Sequence, residues 1–196
     1  MGQSSSKSKQ KGKYSRTDIE NLAKMTHFTP DQVQFLYDRF KFLSNSQSKD
    51  NKISLHEFQQ ALDLPNTEFT QRIFSAFDSD NSDQIEFDEF VLGLSAMSPN
   101  ATIEEKAKFC FNVYDIDGNH TIDKNELKQI LTFSLKSNSQ ISISDDVLDK
   151  VVQKTFSQVD KNNDNEISLS EFTEAAKANP SILNCVNLNL DGIFNK

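Results

Sequence analysis

The stretch DIDGNHTIDKNE, residues 115–126, carries oxygen-bearing side chains at alternating positions. Asp115, Asp117 and Asn119 occupy its first, third and fifth positions, and Glu126 occupies its twelfth. Calcium is a hard cation bound by oxygens, and a twelve-residue loop between two helices supplies them at this spacing, closed by a bidentate glutamate. The stretch therefore predicts a helix–loop–helix calcium site.

The sixth position of such a loop normally holds glycine, because the backbone bends sharply there. In this stretch Gly118 stands at the fourth position and His120 at the sixth. A positive φ is unfavourable for most side chains, although Asn, Asp and His are enriched among those that adopt it. We expect a cost of up to about 1 kcal/mol relative to glycine, which weakens a site roughly fivefold without abolishing it.

The same loop recurs along the chain. Three copies align without gaps and share isoleucine at loop position eight: FDSDNSDQIEFDEF (77–90), YDIDGNHTIDKNEL (114–127) and VDKNNDNEISLSEF (159–172). A weaker copy, SNSQSKDNKISLHEF (44–58), keeps Ile53 and Glu57. The residues at position six of the four loops are Asn51, Asp83, His120 and Asn165. Repetition of so specific a spacing excludes an accidental acidic turn.

Each of the three strong copies predicts one set of calcium ligands. The second loop contributes Asp78, Asp80, Ser82, the Gln84 carbonyl and Glu89. The third contributes Asp115, Asp117, Asn119, the Thr121 carbonyl and Glu126. The fourth contributes Asp160, Asn162, Asp164, the Glu166 carbonyl and Glu171. Position nine is occupied by Glu86, Asp123 and Ser168. We expect three Ca²⁺ sites, with Mg²⁺ as the alternative occupant at resting calcium.

The first loop is poorer in charge. Counted back from Glu57, its first and third positions are the neutral Ser46 and Ser48; counted from Ser44, the loop is two residues longer than the others. Asp50 and Glu57 alone offer few charges to offset the dehydration of calcium. We expect this loop to be structural or weak, and empty at resting calcium.

Helix signals flank every loop. Thr29 and Gln32 form a capping box, Thr102 opens a second, and Thr17 is predicted to open a short helix over Asp18–Lys24. The helices that enter or leave the loops are further predicted over 55–62, 67–77, 87–97, 124–134, 145–159 and 169–178.

These units predict an all-α fold made of two lobes, each a pair of helix–loop–helix hands. Short β contacts are expected between paired loops, Ile53 with Ile85 and Ile122 with Ile167. The predicted domains are a basic tail over 1–16, an N-terminal pair over 17–97, a C-terminal pair over 98–178 and an apolar C-terminal tail over 179–196.

Composition limits the functional classes. A net charge of −8 and a pI near 4.9 argue against nucleic acid as a partner. Cys110 and Cys185 have no metal or redox spacing, and the chain has no apolar run of membrane-spanning length and no signal peptide, so we expect a cytoplasmic protein. The sequence contains no nucleophile elbow, phosphate-binding glycine loop or zinc spacing, and its carboxylates are assigned to metal loops. We therefore predict no enzymatic activity.

The N-terminus has a composition of its own. MGQSSSK fits the N-myristoylation pattern, with Gly2 exposed after removal of Met1, and residues 1–16 hold five basic and no acidic side chains. An ordinary disordered tail is the alternative. One acyl chain holds a membrane only marginally, and each nearby lysine adds about 1 kcal/mol on an anionic leaflet. We predict peripheral association with anionic membranes.

The 16 phenylalanines suggest an apolar groove that opens when calcium spreads the helices. The residues assigned to it are Phe35, Phe42, Phe58, Phe74, Phe90, Phe109, Phe111, Leu131 and Phe133. For any single phenylalanine, ordinary core packing is the alternative. Residues 181–194, SILNCVNLNLDGIF, are predicted to act as a built-in lid for this groove.

Taken together, the loops and their flanks resemble the calcineurin B-like and neuronal calcium sensor group of EF-hand proteins. MGQSSSK, HFTPDQVQFLYDRF (27–40), the four loops and ANPSILNCV (178–186) carry the resemblance over essentially the whole chain. It implies a calcineurin B-like regulatory subunit that binds an amphipathic helix of a protein phosphatase catalytic subunit, or of a kinase. The alternatives are a myristoyl-switch sensor acting on a kinase, cyclase or channel, and a passive calcium buffer. The chain departs from the family at loop position six and at position one of the first hand.

Overall fold

A computed structural model describes residues 14–45, 50–62, 64, 67–136 and 144–185, without the side chains of 134–136 and 184–185. Gly2 and the rest of residues 1–13 lie outside the described residues, as do residues 186–196, which include 186–194 of the predicted lid. The helices are α1 (Arg16–Met25), α2 (Pro30–Leu43), α3 (Leu55–Leu62), α4 (Glu68–Phe77), α5 (Phe87–Ala96), α6 (Ile103–Tyr114), α7 (Lys124–Lys136), α8 (Asp145–Val159) and α9 (Leu169–Ala178). The strands are β1 (Thr121–Ile122) and β2 (Ile167–Ser168), and a 3-10 helix covers Pro180–Cys185.

The predicted all-α fold of paired hands is confirmed. The four hands are α2–α3, α4–α5, α6–α7 and α8–α9, each with its loop between two helices. β1 and β2 run antiparallel with Ile122 opposite Ile167, and an isolated bridge joins Ile53 to Ile85. These isoleucines are buried, because the contact at position eight brings both loops of a pair onto the core.

The helix caps agree with the sequence except at α1. Thr29 and Thr102 cap α2 and α6 through the predicted boxes. The prediction for Thr17 is wrong, since the cap of α1 is Ser15, whose hydroxyl accepts a hydrogen bond from the Asp18 amide at 3.3 Å. The Ser15 amide in turn donates to the Asp18 carboxylate at 2.9 Å, so the helix begins earlier than predicted, at Arg16.

The phenylalanines form the centre of the molecule. Phe77 contacts Phe58 of the first hand at a ring-centroid distance of 5.2 Å and Phe109 of the third hand at 5.3 Å. Gly93 of α5 makes room for it, because a Cβ at this glycine would lie 2.3 Å from the Phe77 ring. One buried apolar cluster therefore extends through both pairs of hands.

The residues assigned to the calcium-opened groove fall into three classes of burial. Five of them are buried in this structure, as ordinary core packing predicts: Phe58, Phe74, Phe90, Phe109 and Phe111. Leu131 and Phe133 are half-buried, whereas Phe35 and Phe42 on α2 are 41% and 70% exposed. A regular aromatic spacing predicts burial but does not distinguish the floor of a groove from a closed core.

Candidate metal centres

The glutamate at position twelve makes the same hydrogen bond to position nine in all four loops. One carboxylate oxygen accepts a hydrogen bond from the amide at position nine at 2.8–2.9 Å; the residue pairs are Glu57 with Ser54, Glu89 with Glu86, Glu126 with Asp123 and Glu171 with Ser168. In the last three loops the other oxygen accepts from the amide at position two at 2.7–2.9 Å. The exiting helix thus returns a carboxylate to the start of its own loop.

In the second loop the first and third ligands lie beside this glutamate. Carboxylate oxygens of Asp78, Asp80 and Glu89 all lie within 4.8 Å of one another. Asp78 is buried, and this desolvation raises its pKa, while the Ser82 hydroxyl is the main cause that lowers the pKa of exposed Asp80. The Ser82 hydroxyl also donates to the Gln84 carbonyl at 2.9 Å, so five predicted ligand residues share one small space.

The third loop gathers the same set of groups. Carboxylate oxygens of Asp115, Asp117 and Glu126 lie within 4.8 Å of one another. Asp115 and Glu126 are each 6% exposed. In the described part of the protein Asp115 Oδ1 is a buried oxygen without a hydrogen-bond partner. Leaving such an oxygen unpaired is costly, and a cation in the loop would satisfy it.

The remaining predicted groups of the third loop hold its turn together. The Asn119 side-chain oxygen accepts from the Thr121 amide at 2.8 Å, and the Asn119 amide donates to Asp117 at 3.0 Å. Asp115 Oδ2 accepts from the amide of His120 at 3.0 Å. The loop is shaped by its own ligand side chains, which leaves the other Asp115 oxygen for an ion.

The fourth loop is less convergent. Among the described residues, Asp160, Asp164 and Glu171 do not approach one another as the carboxylates of the second and third loops do. Position three is the neutral Asn162, whose side-chain amide donates to Asp164 Oδ2 at 2.7 Å. Hydrogen bonds from Ser168 hold the pKa of Glu171 down at about 2, so this ligand is ionised at neutral pH.

The first loop keeps the frame but has few ligands. Glu57 is 1% exposed and accepts from the Ser54 amide and hydroxyl at 2.9 and 2.8 Å. Asp50 accepts from the Lys52 amide at 3.1 Å. Ser46 and Ser48 lie outside the described residues. The described part of this loop, residues 50–57, therefore supports the β contact with Ile85 and offers one buried carboxylate.

The left-handed bend explains the distribution of glycine and asparagine. Position six has positive φ in every loop: 60° at Asn51, 61° at Asp83, 69° at His120 and 68° at Asn165. Position four is also left-handed in the last three loops, at Asn81, Gly118 and Asn163. Gly118, with φ of 73°, therefore meets a second demand for a positive φ, which the ligand spacing did not reveal.

Arg72 was not identified from the sequence. Its guanidinium, on α4, donates to four backbone carbonyls at the end of α6 and the start of the third loop, those of Asn112, Val113, Asp115 and Ile116, at 2.6–3.4 Å. Carbonyls at a helix C-terminus lack intrahelical partners and favour a positive charge. Partners this far apart in the chain give no periodic signal, so only the fold shows the contact.

An apolar cavity of about 360 Å³ lies in the C-terminal pair of hands. Its walls include Tyr114, Leu131 and Phe172, and Ser181 and Ile182 of the 3-10 helix complete its lining. Ile182 and Leu183 pack against the core, and the Leu183 carbonyl accepts from the buried Cys110 thiol at 3.6 Å. The first residues of the predicted lid thus lie beside an apolar space.

The donor set of the second and third loops fits calcium. It consists of carboxylate, hydroxyl, amide and backbone oxygens, includes no sulfur or imidazole, and contains one buried oxygen without a partner. Paired helix–loop–helix units with such acidic loops define the EF-hand class and indicate a calcium-binding protein.

Comparison with known proteins places the chain more narrowly within this class. Residues 104–177 match the model of an EF-hand domain pair. The chain is 33% identical over 153 residues to the type 2 form of calcineurin B from Bos taurus, covering 78% of this chain and 86% of that protein. Calcineurin B of Naegleria gruberi is 32% identical over 157 residues, with 80% and 85% covered, and that of Candida glabrata is 33% identical over 157 residues, with 80% and 86% covered. The chain belongs to the calcineurin B family.

Among its described helices, none combines the length and the apolar composition needed to cross a membrane.

Proposed function

We propose that the protein is a calcium-binding regulatory subunit that confers calcium dependence on a partner enzyme and is not itself an enzyme. The third loop carries the proposal, because Asp115, Asp117 and Glu126 converge around a buried oxygen that has no partner among the described residues. The second and fourth loops would bind calcium through the ligand sets predicted for them, and the first would serve as a frame. The proposed domain bounds are those given above: 1–16, 17–97, 98–178 and 179–196.

The proposed partner is an amphipathic helix of a protein phosphatase catalytic subunit. The relatives are named as subunits of calcineurin, and this chain offers apolar surface of two kinds. Phe35 and Phe42 are exposed on α2, and the C-terminal pair contains the apolar cavity. An amphipathic helix binds such surfaces through residues spaced three and four apart.

Affinity capture from cell extract, in calcium and in chelator, tests the partner. We expect a phosphatase catalytic subunit to be retained in calcium by the wild-type protein and lost with Glu126→Gln. Asp146→Asn, which changes an exposed carboxylate on α8, is the matched control and should behave as wild type. Retention of a kinase, cyclase or channel in place of a phosphatase would favour the myristoyl-switch sensor.

The membrane proposal rests on the sequence of the tail. We propose that Gly2 is acylated and that the neighbouring lysines hold the protein at the cytoplasmic, anionic face of a membrane. Sedimentation with liposomes containing anionic lipid should retain the acylated protein and not Gly2→Ala. Equal sedimentation of the two would contradict acyl anchoring.

One contact supports the switch alternative. Tyr14 lies near the end of the proposed tail, and its hydroxyl donates to Asp88 at the start of α5 at 3.2 Å. Since α5 leaves the second loop, a movement of this helix on calcium binding would reach the tail. Sedimentation that changes with calcium would favour the switch, and sedimentation independent of calcium would favour a constant anchor.

The proposed lid can be tested by binding of an apolar dye. Deleting 180–196 should raise dye binding in calcium, because Ile182 and Leu183 leave the apolar surface of the C-terminal pair. Deleting 186–196 alone distinguishes the contribution of the last residues from that of the 3-10 helix. Unchanged dye binding in both variants would contradict the lid, and low binding with and without calcium would favour a passive buffer.

A further inference from the structure

A lysine of the ligand-poor first loop lies against the second loop. Two backbone hydrogen bonds of 2.9 Å join Ile53 and Ile85, and this antiparallel register places Lys52 directly opposite Glu86. The Lys52 ammonium meets Glu86 Oε1 at 2.9 Å. The lysine side chain is 23% exposed and that of the glutamate 43%, so the ion pair is partly buried.

The positions of these two residues within their loops give the contact its significance. Lys52 is at position seven of the first loop, and Glu86 is at position nine of the second, where a side chain reaches the ion directly or through water. In the C-terminal pair the equivalent opposite residues are Thr121 and Ser168, which carry no charge. The cross-strand ion pair therefore distinguishes the N-terminal pair from the C-terminal pair at this position.

The lysine also acts on the ligands of the second loop at longer range. Glu86, which pairs with the Lys52 ammonium, also donates its backbone amide to Glu89 Oε2 at 2.9 Å. The lysine therefore places a positive charge beside carboxylates that would bind calcium.

We propose that Lys52 is a tethered cation that sets the calcium affinity of the second loop. It occupies one oxygen of Glu86 and repels a divalent ion that approaches Asp80 and Glu89. The first loop, which has few calcium ligands, would thus act on the second loop through the fixed positive charge of Lys52. The inference rests on the proposed calcium binding by the second loop and deepens it.

The charge has a predictable size of effect. A unit charge at the edge of a loop, acting on a divalent ion through a largely aqueous medium, changes its binding constant roughly three- to tenfold. Because the pair is partly exposed, salt screens the interaction, and the effect should shrink when the ionic strength rises from about 0.05 M to about 0.5 M. A lysine that only braced the two loops would have the opposite effect, since its loss would loosen the site and weaken binding.

The test is calorimetric titration of the full-length protein with calcium, in a background of Glu126→Gln and Glu171→Gln that leaves the second loop as the site measured. Lys52→Met should raise the calcium affinity of this loop roughly three- to tenfold at low salt. Lys52→Arg keeps the charge and should leave the affinity as in the background. Lys177→Met removes a lysine that pairs with Glu104 and Glu174 in the C-terminal pair, and it should also have no effect.

Two results would overturn the inference. Unchanged or weaker binding in Lys52→Met, with circular dichroism equal to that of the background, would show that the lysine is a brace and not a regulator of affinity. Lys52→Gln provides a second neutral variant if the methionine protein is unfolded. Failure of the background protein to bind calcium at all would instead contradict the proposed function of the second loop, and with it this inference.

Discussion

At position four of the third loop, Gly118 has φ of 73°, and two residues later His120 has φ of 69°. Both residues are in the left-handed region, which only glycine adopts without cost. The spacing of the ligands identified the demand at position six but not that at position four. Asparagine, aspartate and histidine meet the demand elsewhere because a short polar side chain tolerates this backbone.

Substitutions at these two positions should have opposite effects: one adds backbone strain at Gly118, and the other removes it at His120. A Cβ at Gly118 meets no atom within 4 Å, so Gly118→Ala tests the backbone alone and should lower the free energy of unfolding by about 1 kcal/mol. His120→Gly should tighten calcium binding by the third loop up to about fivefold. Urea unfolding of the metal-free protein and calcium titration measure the two effects. Unchanged or higher stability of Gly118→Ala, or weaker calcium binding by His120→Gly, would contradict the account of backbone strain.

Tyr14 should make stability depend on pH in the alkaline range. Burial is the main cause that raises its pKa above the ordinary value of 10.0, so the folded protein favours the protonated phenol. Its stabilisation is present at pH values below the unfolded pKa and is lost as pH rises above it. Tyr14→Phe removes the hydrogen bond to Asp88, so its free energy of unfolding should be about 1 kcal/mol lower than that of the wild type at pH 7. The difference should be smaller at a pH of about 11. Thermal unfolding at both pH values provides the measurement, and identical pH profiles would refute the assignment.

At the scale of elements, most helices could be predicted because their signals are local. Thr29 and Thr102 each have a Gln or Glu three residues later, and both cap the helix predicted for them. The start of α1 was misassigned because Ser15 and Thr17 fit the same pattern. Tyr14 decides between them, since it packs on Tyr37 and Phe87 and fixes the chain just before Ser15. Such a contact is not visible in a local pattern.

The packing of α4 on α5 depends on a glycine that carries no positive φ. Gly93→Ala should cost about 1–3 kcal/mol or more, because the new methyl group would overlap the Phe77 ring inside a closed core. Equilibrium unfolding in urea gives the loss. Adding Phe77→Leu to the Gly93→Ala variant is the control, since the smaller side chain makes room for the new methyl group and should recover part of the stability. A double variant no more stable than Gly93→Ala would contradict the steric explanation.

The whole molecule is held together by contacts between the two pairs of hands. Phe77 packs on Phe109, and Arg72 reaches from α4 to the carbonyls that end α6. His27 Nε2 adds a hydrogen-bond contact with Glu105 Oε2 at 2.8 Å. The repeats predicted four hands and their pairing, because the ligand spacing and position-eight isoleucines are features of each unit. They could not predict how one pair contacts the other, since these residues lie outside the repeated pattern.

Arg72 should therefore stabilise the C-terminal pair from outside it. Arg72→Met keeps the apolar stem and leaves four carbonyls without their charged donor, so we expect a loss of about 2–3 kcal/mol in the free energy of unfolding. In Arg72→Met, amide hydrogen exchange should accelerate relative to the wild type more in the last turn of α6 than in α2. Arg16→Met, which removes an exposed i,i+4 ion pair with Glu20, is the control and should change stability by less than about 0.5 kcal/mol. Equal losses in the two variants would contradict the role given to Arg72.

The central claim is that oxygen ligands of the second, third and fourth loops surround calcium, and titration calorimetry on the metal-stripped protein tests it most directly. The account predicts three bound calcium ions per chain, with one site lost in each of Glu89→Gln, Glu126→Gln and Glu171→Gln and none lost in Asp146→Asn. Absence of calcium uptake by the wild-type protein at millimolar concentration would contradict it.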